Sequence, residues 1–255
     1  DVTGQVCADS IGHKIFSESG LDPYLENPNT LWLLHWKLVS NPDSSTSWYW
    51  VFNEWNKHNF SEKVVLSDLT DWVRKVGHNR VPSENTLKRD LNCLIRTYIP
   101  ARRSRNALLE DTLDCPLIDL ELMSEIDSIN HVYQLRIGPK PTLSKEFFVY
   151  AMLKFWEEFA PEVSSLAIEK ISYEKRSPGK AFKLDPDSVV KYLESIEDTS
   201  AGELTYRSNA GIQQVYKNVD YIQPEKYLER CYNSNEADRD IELEKENSVL
   251  ESSHV

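Results

Sequence analysis

The stretch 66–105 organises the fold that we expect, and it reads LSDLTDWVRKVGHNRVPSENTLKRDLNCLIRTYIPARRSR. Its first part repeats apolar side chains every three or four residues, which predicts a helix with one buried face. The residues of that face are Leu66, Leu69, Trp72, Val73 and Val76. Gly77 is expected to end this helix and Ser83 to cap a second one. The buried face of the second helix is expected to contain Leu87, Leu91, Leu94, Ile95 and Tyr98.

Positive charge accumulates on the second helix and just beyond it. Between Glu84 and Arg105 six positive residues face two acidic ones, whereas the whole chain has a net charge of −12. We call the six the basic island: Lys88, Arg89, Arg96, Arg102, Arg103 and Arg105. Two short helices around a tight turn are typical of a helix-turn-helix, a DNA-binding motif. Positive side chains that neutralise DNA phosphates supply most non-specific DNA affinity, so the basic island suits this role. The alternative is an ordinary helical hairpin with a solvated face.

Composition excludes several classes of protein. The chain has 255 residues, 40% of them hydrophobic, and no apolar run long enough to span a membrane. Its four cysteines form no Cys-x-x-Cys pair, which argues against a zinc site and favours a reducing cytoplasm. Cys93 is expected to be a small core residue. No signal peptide is visible. Because the chain starts at Asp1 instead of a methionine, we interpret it as a fragment that lacks its natural N-terminus and any targeting signal there.

The periodicity predicts a mainly α protein with small β-hairpins, arranged as two lobes of helix-turn-helix or winged-helix type. The first lobe, residues 1–138, contains helices at 28–40 and 46–60, an extended piece at 117–122 and a strand at 132–137. Pro139 and Pro141 mark the boundary. The second lobe is 139–232, and an acidic tail with a net charge of −5 occupies 233–255.

The second lobe is expected to contain a basic hairpin. A helix capped by Ser144 comes first, then a short helix leads into strands at 171–184 that turn at Ser177-Pro178-Gly179. Further along, 185–198 is expected to be helical and 202–216 to form a strand, a turn and a closing segment. The tip of the basic hairpin would carry Lys175, Arg176, Lys180 and Lys183. Such a wing can follow phosphates, and the alternative is a hairpin that lysine merely keeps soluble.

The chain resembles a bacterial family of domains of unknown function found in phage-defence loci. The resemblance rests on DPYLENPNTLWLLHWKL, SWYWVFNEW, TLKRDLNCLIRTY, LDCPLIDLEL, SPGKAFKLD and NAGIQQVY, spread over roughly residues 11–232. That family is similar to the B component of the Ssp DNA phosphorothioation system. The resemblance implies a role on double-stranded DNA beside a cysteine desulfurase, an ATPase and a sulfur-transfer enzyme. It also implies strand nicking, but it assigns no catalytic residues.

Acidic side chains supply candidate ligands for Mg²⁺, the ion that most phosphodiester cleavage needs. One group follows the basic island: Glu110, Asp111, Asp114 and Asp119. A second possibility is Asp22 with Glu26, although capping and turn roles are the plainer interpretation of each carboxylate. Among the histidines, His35 is expected to be a hydrogen-bonded core residue, and His58 and His78 lie at helix ends. No glycine-rich phosphate loop is present, so an ATP site of P-loop type is excluded.

Three functional hypotheses follow from the sequence. The first is a DNA-binding and strand-nicking component of a phosphorothioation and phage-defence system, of the kind grouped with restriction-modification. The second is a non-catalytic scaffold that docks the sulfur-transfer enzymes. The third is a transcription regulator, which requires a symmetric dimer and a palindromic DNA site.

Overall fold

The computed structural model describes residues 10–76, 82–100, 114–209 and 211–233, and helices dominate it. Before residue 100 the helices are α1 (Ser10–Phe16), α2 (Pro28–Ser40), α3 (Thr46–Tyr49), α4 (Glu62–Val76) and α5 (Glu84–Tyr98). A π-helical turn, Trp50–Glu54, continues α3, and a 3₁₀-helix covers Pro116–Leu120. The later helices are α6 (Lys145–Phe159), α7 (Ile168–Tyr173), α8 (Pro178–Ala181), α9 (Pro186–Glu194), α10 (Ile196–Thr199) and α11 (225–233).

Two small antiparallel sheets accompany the helices. The first has the order β1-β3-β2, with β1 at Asn59–Ser61, β2 at Met123–Asp127 and β3 at Val132–Leu135. The second has the order β4-β6-β5, with β4 at Ser165–Ala167, β5 at Leu204–Asn209 and β6 at Ile212–Lys217. β5 and β6 form a hairpin in which Leu204 faces Lys217 and Asn209 faces Ile212. A mainly α protein with small β-hairpins is thus confirmed.

Helix ends follow the side chains that the sequence offers. The Ser83 hydroxyl accepts the Thr86 N–H at 3.2 Å at the start of α5, and the Ser144 hydroxyl accepts the Phe147 N–H at 3.1 Å at the start of α6. Both satisfy backbone donors that an α-helix leaves unpaired at its N-terminus. The predicted caps of these two helices are therefore confirmed, while Gly77 lies outside the described residues.

Hydrophobic residues from both sides of residue 138 share one core. Helix α2 is buried on nearly every side, as its apolar sequence predicts, and it contacts α6 and α8. Trp32, for example, has no exposed surface and packs edge-on against Phe182 with ring centroids 5.4 Å apart. The division into lobes at residue 138 stays a prediction, as does the acidic tail, which lies outside the described residues apart from its first residue.

The basic hairpin predicted for 171–184 is wrong. This segment forms α7 and α8, and Ser177 caps α8 by accepting the Lys180 N–H at 3.3 Å. A Cβ added to Gly179 would lie 2.5 Å from the Ser172 carbonyl oxygen, so glycine is needed where α8 crosses α7. Ser177-Pro178-Gly179 is therefore the start of a helix instead of a hairpin turn: Ser177 is the cap, Pro178 is the first helical residue, and Gly179 makes the close contact with α7.

Three smaller expectations also change. The short helix expected to lead into a strand is α7, and the strand, Ser165–Ala167, comes before it and pairs with β6. Residues 116–120 are 3₁₀-helical, and extended backbone begins at Met123. Cys93 is exposed on α5. None of the helices in the described part of the chain combines the length and the apolarity needed to cross a lipid bilayer.

Candidate nucleic-acid interface

Helix α5 carries positive side chains on its solvent side. Its inner side is formed by Leu87, Leu91, Leu94, Ile95, Thr97 and Tyr98, all buried, as the sequence predicts for its apolar positions. Lys88, Arg89 and Arg96 are exposed. Arg89 and Arg96 are seven residues apart, which places them on the same face at a spacing of about 10 Å along the helix axis.

These three cations keep their charge available. Within the described ranges no carboxylate lies within ion-pair distance of Lys88, Arg89 or Arg96. The acid nearest to them in sequence, Asp90, is half-buried, and burial raises the pKa of its carboxyl above the ordinary value. Glu84 lies in the first turn, where negative charge suits the helix dipole. Among the residues that the structure describes, the positive charge on the exposed side of α5 is therefore not compensated by an ion pair.

The remaining members of the basic island, Arg102, Arg103 and Arg105, lie outside the described residues, as does the turn between α4 and α5. Helices α4 and α5 pack against each other, which is compatible with the predicted helix-turn-helix. The helix-turn-helix and the role of these arginines stay predictions.

The second predicted group of cations extends from the loop between α7 and α8, which carries Lys175 and Arg176, to the end of α8 and just beyond, and two of its members are paired with acids. The Lys175 ammonium lies 2.7 Å from a Glu54 carboxylate oxygen, and this hydrogen bond raises the pKa of Lys175. The Arg176 guanidinium lies 2.8 Å from a carboxylate oxygen of Glu158. The backbone N–H of Arg176 also donates to the side-chain oxygen of buried Asn53 at 2.7 Å. Both cations are thus partly neutralised by neighbours on other elements.

Lys180 and Lys183 also bind the protein itself. The Lys180 ammonium donates to the Asn56 side-chain oxygen at 3.0 Å. The Lys183 side chain is only 7% exposed, and its ammonium donates to the Phe52 carbonyl at 2.7 Å and lies 5.2 Å from the centre of the Phe52 ring. Burial lowers the pKa of Lys183 to about 7. Lys183 is therefore part of the interior of the protein, and we do not count it among the cations that can contact DNA.

One segment holds most of this second group. Phe52, Asn53 and Glu54 are consecutive residues of the π-helical turn, and they bind Lys183, Arg176 and Lys175 in that order. Nothing in the local sequence around 175–183 identifies these partners, because they come from a distant part of the chain. We name this arrangement the π-turn clamp.

The hairpin of the second lobe is β5–β6, where the sequence predicts a strand, a turn and a closing segment. Two of its cations cover aromatic rings: the Arg207 guanidinium lies 5.1 Å from the centre of the Tyr216 ring, and the Lys217 ammonium lies 4.5 Å from a Trp156 ring. Sequence analysis did not single out either residue. Cation–π contacts of this kind leave a charge accessible, but a winged-helix arrangement is not established for this lobe.

The predicted metal ligands are not gathered at one place in the described structure. Asp22 is 6% exposed and accepts hydrogen bonds from the Glu26 N–H, the Asn27 N–H and the Thr30 hydroxyl, the last at 2.5 Å. Asp119 is exposed and lines a separate cavity of about 540 Å³. Asp114 is exposed, and Glu110 and Asp111 lie outside the described residues. Among the residues that the structure covers, no three His, Cys, Asp or Glu side chains are placed to hold a metal ion. We therefore derive no chemical step through Mg²⁺.

His35 is a hydrogen-bonded core residue, as predicted. Its Nε2 lies 2.9 Å from the Ala181 carbonyl, so this nitrogen carries the proton, and its Nδ1 accepts the Tyr98 hydroxyl at 2.7 Å. Burial lowers the pKa of His35 to about 3. This neutral ring joins α5 to α8. His58 is exposed, and His78 lies outside the described residues.

Comparisons with known proteins give the chain its relatives. A family model described as "Protein of unknown function (DUF4007)" matches residues 3–232. A crystal structure of SspB with bound magnesium ion has a TM-score of 0.77 and 26% sequence identity over 87% of this chain, and a second SspB crystal structure has a TM-score of 0.76 at the same identity and coverage. The matched region spans 65% of those SspB chains. No curated protein matches. Because the family model covers most of its length, this chain belongs to the DUF4007 family.

Proposed function

We propose that this protein is a DNA-binding component of a bacterial DNA phosphorothioation system, and that the exposed face of α5 contacts the DNA. The observation that carries the proposal is the set of three exposed cations on one side of α5, none of which has an acidic partner among the described residues. The likeness to SspB over 87% of the chain supports the assignment to a system of this kind. The other proteins of the system, a cysteine desulfurase, an ATPase and a sulfur-transfer enzyme, are proposed partners on the same basis.

The geometry of α5 suits a polyanion. An α-helix with its side chains is about 10–12 Å across, which matches the width of the DNA major groove. Arg89 and Arg96, about 10 Å apart along the helix, can reach separate phosphates or base edges. Outside α5 the chain is strongly acidic, since its net charge is −12. Repulsion from the acidic surface then favours approaches in which α5 faces the duplex.

Salt dependence tests this proposal. Replacing Lys88, Arg89 and Arg96 by alanine is expected to weaken binding to all duplex sequences and to flatten the plot of log affinity against log salt by about 0.9 per lost phosphate contact, about 2.7 in total. Fluorescence anisotropy with a labelled duplex, titrated at several NaCl concentrations, measures both quantities. A variant with Lys175 and Arg176 replaced by alanine is the matched control, because those cations are already paired with acids.

Folding must be checked alongside. Because Lys88, Arg89 and Arg96 are exposed, each alanine substitution is expected to change the free energy of unfolding by no more than about 0.5 kcal/mol, so the triple variant should remain folded. Unchanged affinity and slope in this folded variant would rule out α5 as the DNA contact. Loss of affinity in the Lys175 and Arg176 control instead would move the contact to the π-turn clamp. Partner capture from nuclease-treated lysate with no DNA affinity in the pure protein would favour the scaffold hypothesis.

Strand nicking is a second candidate function, and the observation in its favour is the likeness to an SspB structure with bound magnesium. Incubation of supercoiled plasmid with and without Mg²⁺ tests it by the appearance of open circles. The described residues do not gather a metal-binding set, so the first carboxylates to replace are those near the basic island: Glu110, Asp111, Asp114 and Asp119.

A further inference from the structure

The second sheet has an open edge along β5. Its strand order is β4-β6-β5, so β5 pairs with β6 on one side, and it is the longest edge strand of the described sheets. The Glu203 carbonyl accepts the Asn218 N–H at 2.9 Å, which fixes the alternation of hydrogen bonds along the hairpin. As a result, Leu204, Tyr206 and Ser208 direct their backbone N–H and C=O groups away from β6.

One end of this edge is covered by a side chain. The Ser200 hydroxyl accepts the Leu204 N–H at 3.0 Å and donates to the Leu204 carbonyl at 3.3 Å. On the same side of the strand, the backbone groups of Tyr206 and Ser208 have no hydrogen-bond partner among the described residues. Backbone groups at an open sheet edge readily accept a further strand. We call the stretch from Tyr206 to Ser208 the β5 edge.

The two faces of the β5 edge have different chemistry. Leu204 is buried and Tyr206 packs against the core, so the inner face is apolar. Arg207 is exposed on the outer face, where its guanidinium lies over the Tyr216 ring and no described carboxylate is within ion-pair distance. A strand that fits here needs apolar side chains on one face and an acid opposite Arg207 on the other.

A second copy of the same edge does not meet this requirement. Antiparallel pairing that uses Tyr206 and Ser208 of both copies places the two Arg207 side chains directly opposite each other. Like charges in directly opposite positions destabilise a strand pair. The β5 edge is therefore unsuited to self-association and calls for an acidic strand.

The acidic tail contains a segment with the required pattern. Residues 240–244 read DIELE, so three acids alternate with two apolar residues: Asp240, Ile241, Glu242, Leu243 and Glu244. In an extended conformation this alternation puts the acids on one face and the apolar side chains on the other. With Glu242 opposite Arg207, Ile241 and Leu243 lie opposite Tyr206 and Ser208 in either strand direction.

The tail also begins close enough to reach this edge. Helix α11 ends at residue 233 and packs beside the start of β5, since the Tyr227 hydroxyl donates to the Glu203 carboxylate at 2.7 Å. The helix rises about 9 Å between Tyr227 and residue 233, and β5 about 13 Å between Glu203 and Arg207. Nine extended residues span up to about 32 Å, which is enough to bring Glu242 to Arg207.

We propose that residues 240–244 of the acidic tail add a strand to the β5 edge of the same chain, with Glu242 opposite Arg207. The backbone of the added strand pairs with Tyr206 and Ser208, and Ile241 and Leu243 extend the apolar inner face. Glu242 supplies Arg207 with the carboxylate that it lacks among the described residues. This pairing lies away from α5 and does not depend on the proposed function.

Amide hydrogen exchange followed by NMR on the intact chain tests the pairing. The Tyr206 and Ser208 amides should exchange at least about tenfold more slowly in the wild-type protein than in a variant with Ile241→Asp and Leu243→Asp, because a strand amide at an open edge is protected only when it is paired. Val249→Asp with Leu250→Asp, which adds the same charge elsewhere in the tail, is the matched control and should keep the protection. Equal exchange in the wild-type protein and the Ile241 and Leu243 variant would overturn the proposal.

Charge reversal tests the register of the pairing. Arg207→Glu should remove the protection, and adding Glu242→Arg should restore it, whereas adding Glu251→Arg should not. The Arg207 amide faces β6, so its counterpart at position 207 should stay protected in every variant and shows that the hairpin is folded. Equal restoration by both arginine substitutions would overturn the register. Protection that appears only at high protein concentration would assign the edge to a second chain and overturn the proposal.

Discussion

The two groups of positive residues that the sequence singles out have opposite surroundings in the structure. On α5, Lys88, Arg89 and Arg96 project into solvent and lack acidic partners among the described residues. Between α7 and α8, by contrast, Lys175 and Arg176 are paired with carboxylates. The difference shows that a cluster of cations in a sequence gives the amount of charge but not its availability. Availability depends on which acids and carbonyls the fold brings to each cation.

The largest loss of stability is expected from replacing His35, because its ring connects α5, which carries the first group of cations, to α8, which lies in the second group. Replacement by leucine leaves the Tyr98 hydroxyl and the Ala181 carbonyl buried without this partner. Each unsatisfied group costs about 1–3 kcal/mol, so we expect a loss of roughly 2–6 kcal/mol in the free energy of unfolding. Urea denaturation measures the loss. Tyr98→Phe, which removes one of the two bonds, should lose about half as much, and a loss under about 1 kcal/mol for His35→Leu would contradict the assigned hydrogen bonds.

A smaller effect concerns Lys183, the member of the second group that lies inside the protein. Its pKa is about 7 in the folded chain and 10.5 as an ordinary lysine. Below pH 7 Lys183 is charged in both the folded and the unfolded chain, and the folded chain bears the full cost of a buried ammonium group. Between pH 7 and 10.5 the folded state releases this proton first, so stability rises with pH.

Over pH 7 to 9 this rise is expected to be about 2–3 kcal/mol from Lys183, at about 1.4 kcal/mol per pH unit. Lys140, with a pKa of about 8, adds a further rise that begins later. Urea midpoints across this pH range should show a shallower slope for Lys183→Met than for the wild-type protein. Equal slopes would mean that Lys183 is solvated. Lys191→Met, at an exposed lysine, is the control.

The smallest effect is expected from removing the acids that hold the second group. Replacing Glu54 and Glu158 by glutamine breaks two ion pairs whose cations are solvent-accessible, each worth about 0–1 kcal/mol. We expect a small loss of stability and no gain in DNA affinity, measured by denaturation and by anisotropy on the same preparation. A tighter complex with a steeper salt slope would show that Lys175 and Arg176 adjoin the DNA once they are released.

Sequence predicted best what short-range physics decides. Ser83 and Ser144 cap helices because a hydroxyl can satisfy a backbone N–H within the same turn. The buried face of α5 follows from the 3.6-residue period alone. Cys93 was placed wrongly because its apolar neighbours in sequence lie on the opposite side of the helix. The position of Cys93 around the helix axis, and not its neighbours in sequence, determines that it is exposed.

The conformation of segment 171–184 could not be predicted from its own sequence. Alternation at Ile171 and Tyr173 fits a strand, but it also fits the end of a short helix, and Ser-Pro-Gly starts either a turn or a helix. The choice depends on the close contact of Gly179 with Ser172. In the same way the three-residue strand β4 exists because β6 supplies its partner.

The π-helical turn also constrains evolution along this chain. Its three consecutive residues each meet a different residue of the 175–183 segment, so the register between two remote stretches is set by the local winding of five residues. A single insertion or deletion within Trp50–Glu54 would turn the residues that follow it around the helix axis relative to those before it, and so break the match between these contacts and their partners. Point substitutions can be absorbed one at a time, whereas a change in length has to be matched elsewhere in the molecule.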